Sequence, residues 1–317
     1  LTVDTQAPWD LPPATIRAEA VLDDLDLLID AFQLRIGENV VDVDGKLVQL
    51  NKLRFDGLRV RSDRFELPFL QNFAAAIPLQ GDVSVDLTVN GKLDALRAEG
   101  EIGGPMGRIG LSDVLIGVTG KPLTHAGTLD IDAFSLTKLL PYAGLPSALT
   151  ADVRWDGRGT GLDSLVGDLD LKVGAFKIQD IQFQGHALQG HIEAGVVTAH
   201  HRDLVGQGAV EGDVLIHLLE KRFDAKRTTL TGVDLSAFQT ISRGGVRGGV
   251  VDGWLVAKGS WAKKPIVIQT DGETRVRGLS VPSTWMETAR ATWTGLQLGL
   301  GKGPPTVSGS VEAHATS

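Results

Sequence analysis

The sequence predicts an all-β protein, an extended and repetitive curled sheet with a few short capping helices. Three observations carry this prediction. Apolar and polar residues alternate along many segments, which is the pattern of half-buried β-strands. Helix-like segments span about two turns each, too few to form a layer of a fold. The order strand, short helix, strand recurs along the 317 residues.

The alternation is clearest in residues 81–91. Val83, Val85, Leu87 and Val89 face one way, and the polar residues between them face the other. The same alternation recurs in six further segments, at 41–44, 129–132, 152–156, 168–173, 180–184 and 296–300. One face of each strand is therefore expected to be apolar and the other solvated.

The segment 21–36 fits both a helix and a strand. The alternation of Phe32, Leu34 and Ile36 continues at a period of two and favours the strand. Glycine is frequent, at 39 residues, a larger share than the usual value of about 7%. Many glycines follow Asp or Asn, a pair that predicts tight turns. The turns are predicted at Asp44-Gly45, Asp56-Gly57, Asn90-Gly91, Asp156-Gly157, Asp252-Gly253 and Asp271-Gly272.

Short capping helices are predicted at 67–73, 135–141 and 236–241, where Pro or Ser lies near a helix end. Each is followed by a strand and a glycine, which defines approximate repeat units at 53–102, 127–173 and 228–276. We expect residues 1–317 to form one continuous repetitive β-domain, as a fragment of a longer chain.

Composition narrows the function classes. The net charge of −8 argues against a nucleic-acid partner. Cysteine is absent, which removes disulfides, thiolate catalysis and thiolate metal ligands. The sequence carries no catalytic motif, and we expect no enzymatic activity, no catalytic residues and no cofactor.

Histidines and aspartates are the candidate metal ligands. His200 and His201 lie near Asp203, with His186 and His191 close in sequence. Adjacent residues of a strand point to opposite faces, so this pair does not readily hold one ion. Surface histidines and a solvated row of aspartates are the favoured interpretation, and no metal site is predicted.

Two passages resemble a known family. The first is residues 81–100, where an alternating strand ends in Gly and is followed by Leu-Asp-Ala-Leu, and the second is residues 129–140 followed by 149–159. They resemble the repetitive periplasmic region of AsmA/TamB-type proteins of double-membraned bacteria, over roughly residues 34–310. The motifs are loose patterns and no residue-level lipid site transfers from them.

The resemblance implies a β-taco, a long sheet curled into an apolar groove. It implies a location in the periplasm, as part of a protein anchored in the inner membrane outside this segment. It implies phospholipid transport towards the outer membrane, or outer-membrane assembly, with phospholipid as a partner and an outer-membrane protein as a further one.

The expected groove lining follows the apolar rows and would desolvate acyl chains. The rows comprise Val83, Val85, Leu87, Val89, Leu129, Ile131, Val153, Trp155, Leu169, Leu171, Val173, Ile181 and Phe183. Two alternatives stay open. Alternating strands also cover a packed core, as in a structural or adhesive β-solenoid, and pattern alone favours that. A carbohydrate-active β-helix enzyme would need clustered Asp with Lys or Arg on one concave face.

Overall fold

The structure is a computed structural model that describes residues 2–5, 14–49, 53–72, 79–119, 123–140, 148–178, 181–238, 245–262, 266–282, 284–300 and 306–316. These residues are almost entirely β and form an open antiparallel sheet, which confirms the all-β prediction. The chain divides into two compact units, Leu1–Thr160 and Gly161–Ser317.

The first unit is an antiparallel meander in which each described strand pairs with the next along the chain. Its strands are β1 Thr2–Thr5, β2 Ala14–Asp23, β3 Asp26–Ile36, β4 Asn39–Val48, β5 Arg54–Glu66, β6 Asp82–Lys92, β7 Ala95–Gly103, β8 Arg108–Ile116, β9 Thr124–Phe134 and β10 Leu149–Arg158. Its helices are the 3-10 helix η1 Leu67–Asn72 and the α-helix α1 Leu136–Leu139.

The second unit is also antiparallel. Its strands are β11 Val166–Val173, β12 Phe176–Ile178, β13 Ile181–Glu193, β14 Val196–Val205, β15 Gly208–His217, β16 Arg222–Asp234, β17 Gly248–Ser260, β18 Ile266–Val281, β19 Thr284–Leu300 and β20 Thr306–Thr316. Both β11 and β12 pair with β13, and the later strands pair in chain order. The 3-10 helix η2 Leu235–Phe238 follows β16.

The three short helices lie where the sequence predicts them, although residues 73, 141 and 239–241 fall outside the described part. Each helix joins two strands that pair with each other, so the repeated order of strand, helix and strand is confirmed. In the first unit, η1 follows β5 and α1 follows β9. Every second strand of an antiparallel meander runs in the same direction, so β5, β7 and β9 are parallel to one another. Both helices therefore lie at the same end of the strands. No helix in the described ranges is long and apolar enough to cross a membrane.

The predicted Asp-Gly and Asn-Gly turns are wrong, because all six glycines lie inside strands. Gly45 has φ +132°, and a Cβ there would lie 2.6 Å from the carbonyl oxygen of Gly57 on the neighbouring strand. A Cβ on Gly272 would collide with the ring of Trp293. Close approach within the sheet, not chain reversal, therefore requires glycine here.

The strand prediction for 21–36 is confirmed, with one turn that the alternation conceals. The segment is the end of β2 and the whole of β3, joined through Asp24 and Leu25. Asp24 has φ +53°, a left-handed conformation that Asp tolerates better than most residues.

Candidate functional site

Register places one row of apolar side chains across the first unit. Val85 pairs with Ile102, Ile102 with Ile109, Ile109 with Ile131, and Ile131 with Ala151. Residues directly opposite one another in paired strands share a face of the sheet. We call this side, defined by that row and the parallel row through Leu87 and Leu129, the apolar face of the first unit.

An apolar cavity of about 450 Å³ lies on the apolar face of the first unit. Its lining comes from β4 to β9, the two helices and the β7–β8 turn, and includes Val60, Phe65, Val85, Ile102, Met106 and Leu139. Ser62 is the one residue of the lining with a polar side chain, and its hydroxyl donates to the Val40 carbonyl oxygen at 2.7 Å. The cavity therefore offers its occupant hydrocarbon contacts and no free hydrogen-bonding group.

The helices close one end of this cavity. Leu67 of η1 packs in a buried cluster with Val83, Met106 and Phe134, and Leu139 of α1 packs against the same cluster. Backbone hydrogen bonds fix the cap, since the amide of Gln80 donates to the Leu139 carbonyl at 2.9 Å. The capping helices therefore contribute apolar walls as well as joining strands.

The opposite face of the same strands is charged. Arg59 bonds to Asp86 through two nitrogens, and Arg61 and Arg64 pair with Asp44 and Asp82 at 2.6 and 2.7 Å. The hydrogen bonds from Arg59 lower the pKa of Asp86 below its ordinary value. All three pairs are at least partly exposed, which supports the interpretation of the aspartate rows as a solvated face.

The structure brings part of the predicted lining together. Val83, Val85 and Leu87 line the cavity, and Ile131 packs against the buried cluster. The remaining predicted residues of the first unit lie on the apolar face but outside that lining: Val89, Leu129, Val153 and Trp155.

The indole ring of Trp155 packs against Gly127 of the neighbouring strand β9 on this face. It pairs with Gly127, and a Cβ on Gly127 would lie 2.7 Å from Cη2 of the indole and 3.0 Å from the Cα of Val114. The tryptophan ring therefore covers a glycine, and this end of the face is packed rather than hollow.

The second unit has an apolar face of its own, defined by Leu171, Val173 and Phe183 with the buried Val205. Phe183 stacks on Phe176 with ring centroids 4.8 Å apart and packs against a cluster of Val205, Val233 and Val251. Leu171 and Val173 are half-buried, and Leu169 is 38% exposed. The side chain of Ile181, also predicted to line the groove, lies outside the described residues.

Three polar side chains interrupt the apolar face of the second unit. Val173 pairs with His186, His186 with Asp203, and Asp203 with Val210, so the histidine and the aspartate lie between two valines. His201, two residues before Asp203 on β14, lies on the same face. Each imidazole bonds through Nδ1 to a different carboxylate oxygen of Asp203, at 2.5 Å for His186 and 2.8 Å for His201.

The prediction that His200 and His201 point to opposite faces is confirmed, and His186 and His201 are less exposed than His200. Their side chains are 21% and 20% exposed, whereas that of His200 is 48% exposed. In the part of the chain that the structure describes, no group of three His, Cys, Asp or Glu side chains could hold a metal ion.

Sequence reasoning missed several cavity residues. Ile102 and Ile109 lie in strands where glycine and alanine dilute the alternation, and Met106 sits in a Gly-Pro-Met-Gly turn. The place of Ile102 in the lining follows from the pairing of β6 with β7, in which Val85 lies opposite Ile102.

Comparison with known proteins found no matching family model, curated protein or solved structure. The site is therefore interpreted from its own geometry.

Proposed function

We propose that this chain shields the acyl chains of phospholipids on the apolar faces of its two units. The proposed setting is the periplasm of a double-membraned bacterium, where the chain would serve lipid transport between the inner and outer membranes. The role is non-enzymatic, the lipid is cargo, and the contact with the membranes runs through segments or partners outside this chain.

The observation that carries the proposal is the apolar cavity of the first unit. Its volume of about 450 Å³ falls within the roughly 300–1,000 Å³ typical of ligand sites. Moving a 16-carbon acyl chain from bilayer to water costs on the order of 12 kcal/mol, at about 0.8 kcal/mol per CH₂. The apolar wall of the cavity offsets this transfer cost. Because the wall has no free polar group, it does not select a particular head group.

Incomplete burial of the apolar rows also supports the proposal. Among the described residues only ten apolar side chains are buried, and most of the predicted lining is half-exposed. A packed core would cover these rows with other side chains, which is the expectation for the structural or adhesive β-solenoid. Half-exposed apolar rows instead leave surface for a ligand to cover.

Phospholipid retention tests the proposal. The protein is purified without detergent from cells of a double-membraned bacterium, and bound lipid is extracted and quantified by mass spectrometry. We expect phospholipid with the unchanged chain and a severalfold loss in Val60→Phe, whose ring would occupy the cavity.

Val40→Phe is the matched control. Val40 pairs with Arg35 and lies one residue from Val41 of the lining, on the opposite side of β4. It adds the same ring outside the cavity and should retain lipid. Absence of lipid from the unchanged chain, or equal retention in both variants, would contradict the proposal.

A further inference from the structure

The polar cluster on the apolar face of the second unit has a closely defined setting. Asp203 lies between His201 on its own strand and His186 on β13. Along β14, Ala199 lies two residues before His201 and Val205 lies two residues after Asp203, and both are buried. An ionisable group in such an apolar row loses hydration and needs compensating hydrogen bonds.

The two imidazoles provide that compensation. Burial raises the pKa of Asp203, but the hydrogen bonds from His186 and His201 outweigh it and bring the pKa well below its usual range. The carboxylate is therefore ionised, and both histidines use Nδ1 as the donor. The arrangement fixes each ring with its Nε2 directed away from the carboxylate.

Both Nε2 atoms remain available to a ligand. Within the described residues neither atom has a hydrogen-bond partner. No fully buried side-chain nitrogen or oxygen in that part of the chain lacks a partner, so neither Nε2 atom is fully buried. Hydrocarbon over this site would leave both nitrogens without a hydrogen-bond partner, which is unfavourable.

Protonation changes what the cluster can bind. With both imidazoles neutral its charge is −1, and with both protonated its charge is +1 and each Nε2 becomes a donor. The residues paired with the cluster from β11 and β15 are Val173, Val210 and Gly212, none of which is titratable. Arg202 and Glu211 lie on the other face, so the local charge follows the two histidines.

We propose that the His186–Asp203–His201 cluster is a proton-linked site for a phosphate-type oxyanion, either free or as the head group of an amphiphile. Each imidazolium donates one charge-assisted hydrogen bond from Nε2, and Asp203 keeps both rings in position. The site belongs to the second unit and does not depend on the acyl cavity of the first.

Calorimetry of the full chain tests the site. Inorganic phosphate and inorganic sulfate are titrated at about pH 6 and about pH 8, between which histidine changes charge. Decyl phosphate and decanol are titrated in parallel. We expect oxyanion binding to be at least about tenfold tighter at the lower pH, with net proton uptake measured in two buffers of different ionisation enthalpy.

The variants locate the site. His201→Gln should lose about tenfold in affinity, whereas His200→Gln on the opposite face of the same strand should bind as the unchanged chain does. The proton uptake of the unchanged chain on binding sulfate, which does not itself titrate between these pH values, keeps the test valid if His201→Gln folds poorly. Binding of the inorganic ions assigns a free oxyanion, and binding of decyl phosphate alone assigns a head group.

The outcomes separate this site from the proposed function. Equal binding of decyl phosphate and decanol at both pH values would overturn the oxyanion site and leave the acyl-shielding role standing. Equal loss in His200→Gln and His201→Gln would also overturn it. Absence of decanol binding with His201-dependent phosphate binding would contradict acyl shielding and support the oxyanion site.

Discussion

The apolar faces of the two units are built by the same alternation but differ at their centres. In the first unit the rows through Val85 and Leu87 surround a cavity whose single polar side chain, Ser62, already donates to the backbone. In the second unit the apolar face instead holds an ionised carboxylate between two imidazoles. Period-two patterning therefore specifies which side a residue faces, whereas single residues decide what that side can bind.

The difference also concerns what stabilises each face. The first unit relies on apolar contacts between strands and capping helices, which do not depend on pH in themselves. The second unit adds a hydrogen-bonded charge, whose contribution depends on the ionisation of Asp203. Single substitutions can separate these two kinds of stabilisation.

The largest effect is expected for Met106→Ala in the first unit. Met106 is 2% exposed and packs beneath both capping helices, so its truncation should lower the free energy of unfolding by about 2–5 kcal/mol. Urea denaturation followed by circular dichroism measures the change, which should be the same at neutral and mildly acidic pH. Ile116→Ala is the control, since Ile116 is 46% exposed and should cost under about 0.5 kcal/mol. Equal losses in the two variants would show that the cap is not the core of this unit.

A smaller, pH-dependent effect is expected for Asp203→Asn in the second unit. Hydrogen bonds to a charged group contribute about 1.5–3 kcal/mol, so this substitution should lower the free energy of unfolding by that amount near neutral pH. The folded pKa of Asp203 lies below its unfolded value. Its contribution is therefore complete above the unfolded pKa of about 3.9 and is lost as pH falls through the folded pKa.

Asp213→Asn is the matched control for Asp203→Asn. Asp213 also bonds to a histidine, His200, but its side chain is 59% exposed, so its loss should cost under about 1 kcal/mol. Denaturation of both variants over a pH series gives the comparison. A pH-independent loss in Asp203→Asn, or equal losses in the two variants, would contradict the polar stabilisation of the second face.

The sequence predicted the strands well because alternation and burial follow directly from the geometry of a sheet. Val83, Val85 and Leu87 therefore share one face of the sheet, as their alternation predicts. The Asp-Gly pairs at Gly45 and Gly272 predict turns. The same dipeptide also occurs inside a strand, where the backbone of a neighbouring strand or an aromatic ring comes too close for a Cβ. Met106 and the pairing of His186 with Asp203 depend on strand register, which the order of residues along one chain does not reveal.

Site-specific photocrosslinking tests the central claim most directly. A photoreactive residue replaces Val85 on the apolar face or its neighbour Asp86 on the charged face, and the pair Leu171 and Asp170 repeats the test in the second unit. After irradiation in cells, mass spectrometry measures the phospholipid attached at each position. Acyl shielding predicts strong capture at Val85 and Leu171 and little at Asp86 and Asp170. Equal capture within each pair would contradict it.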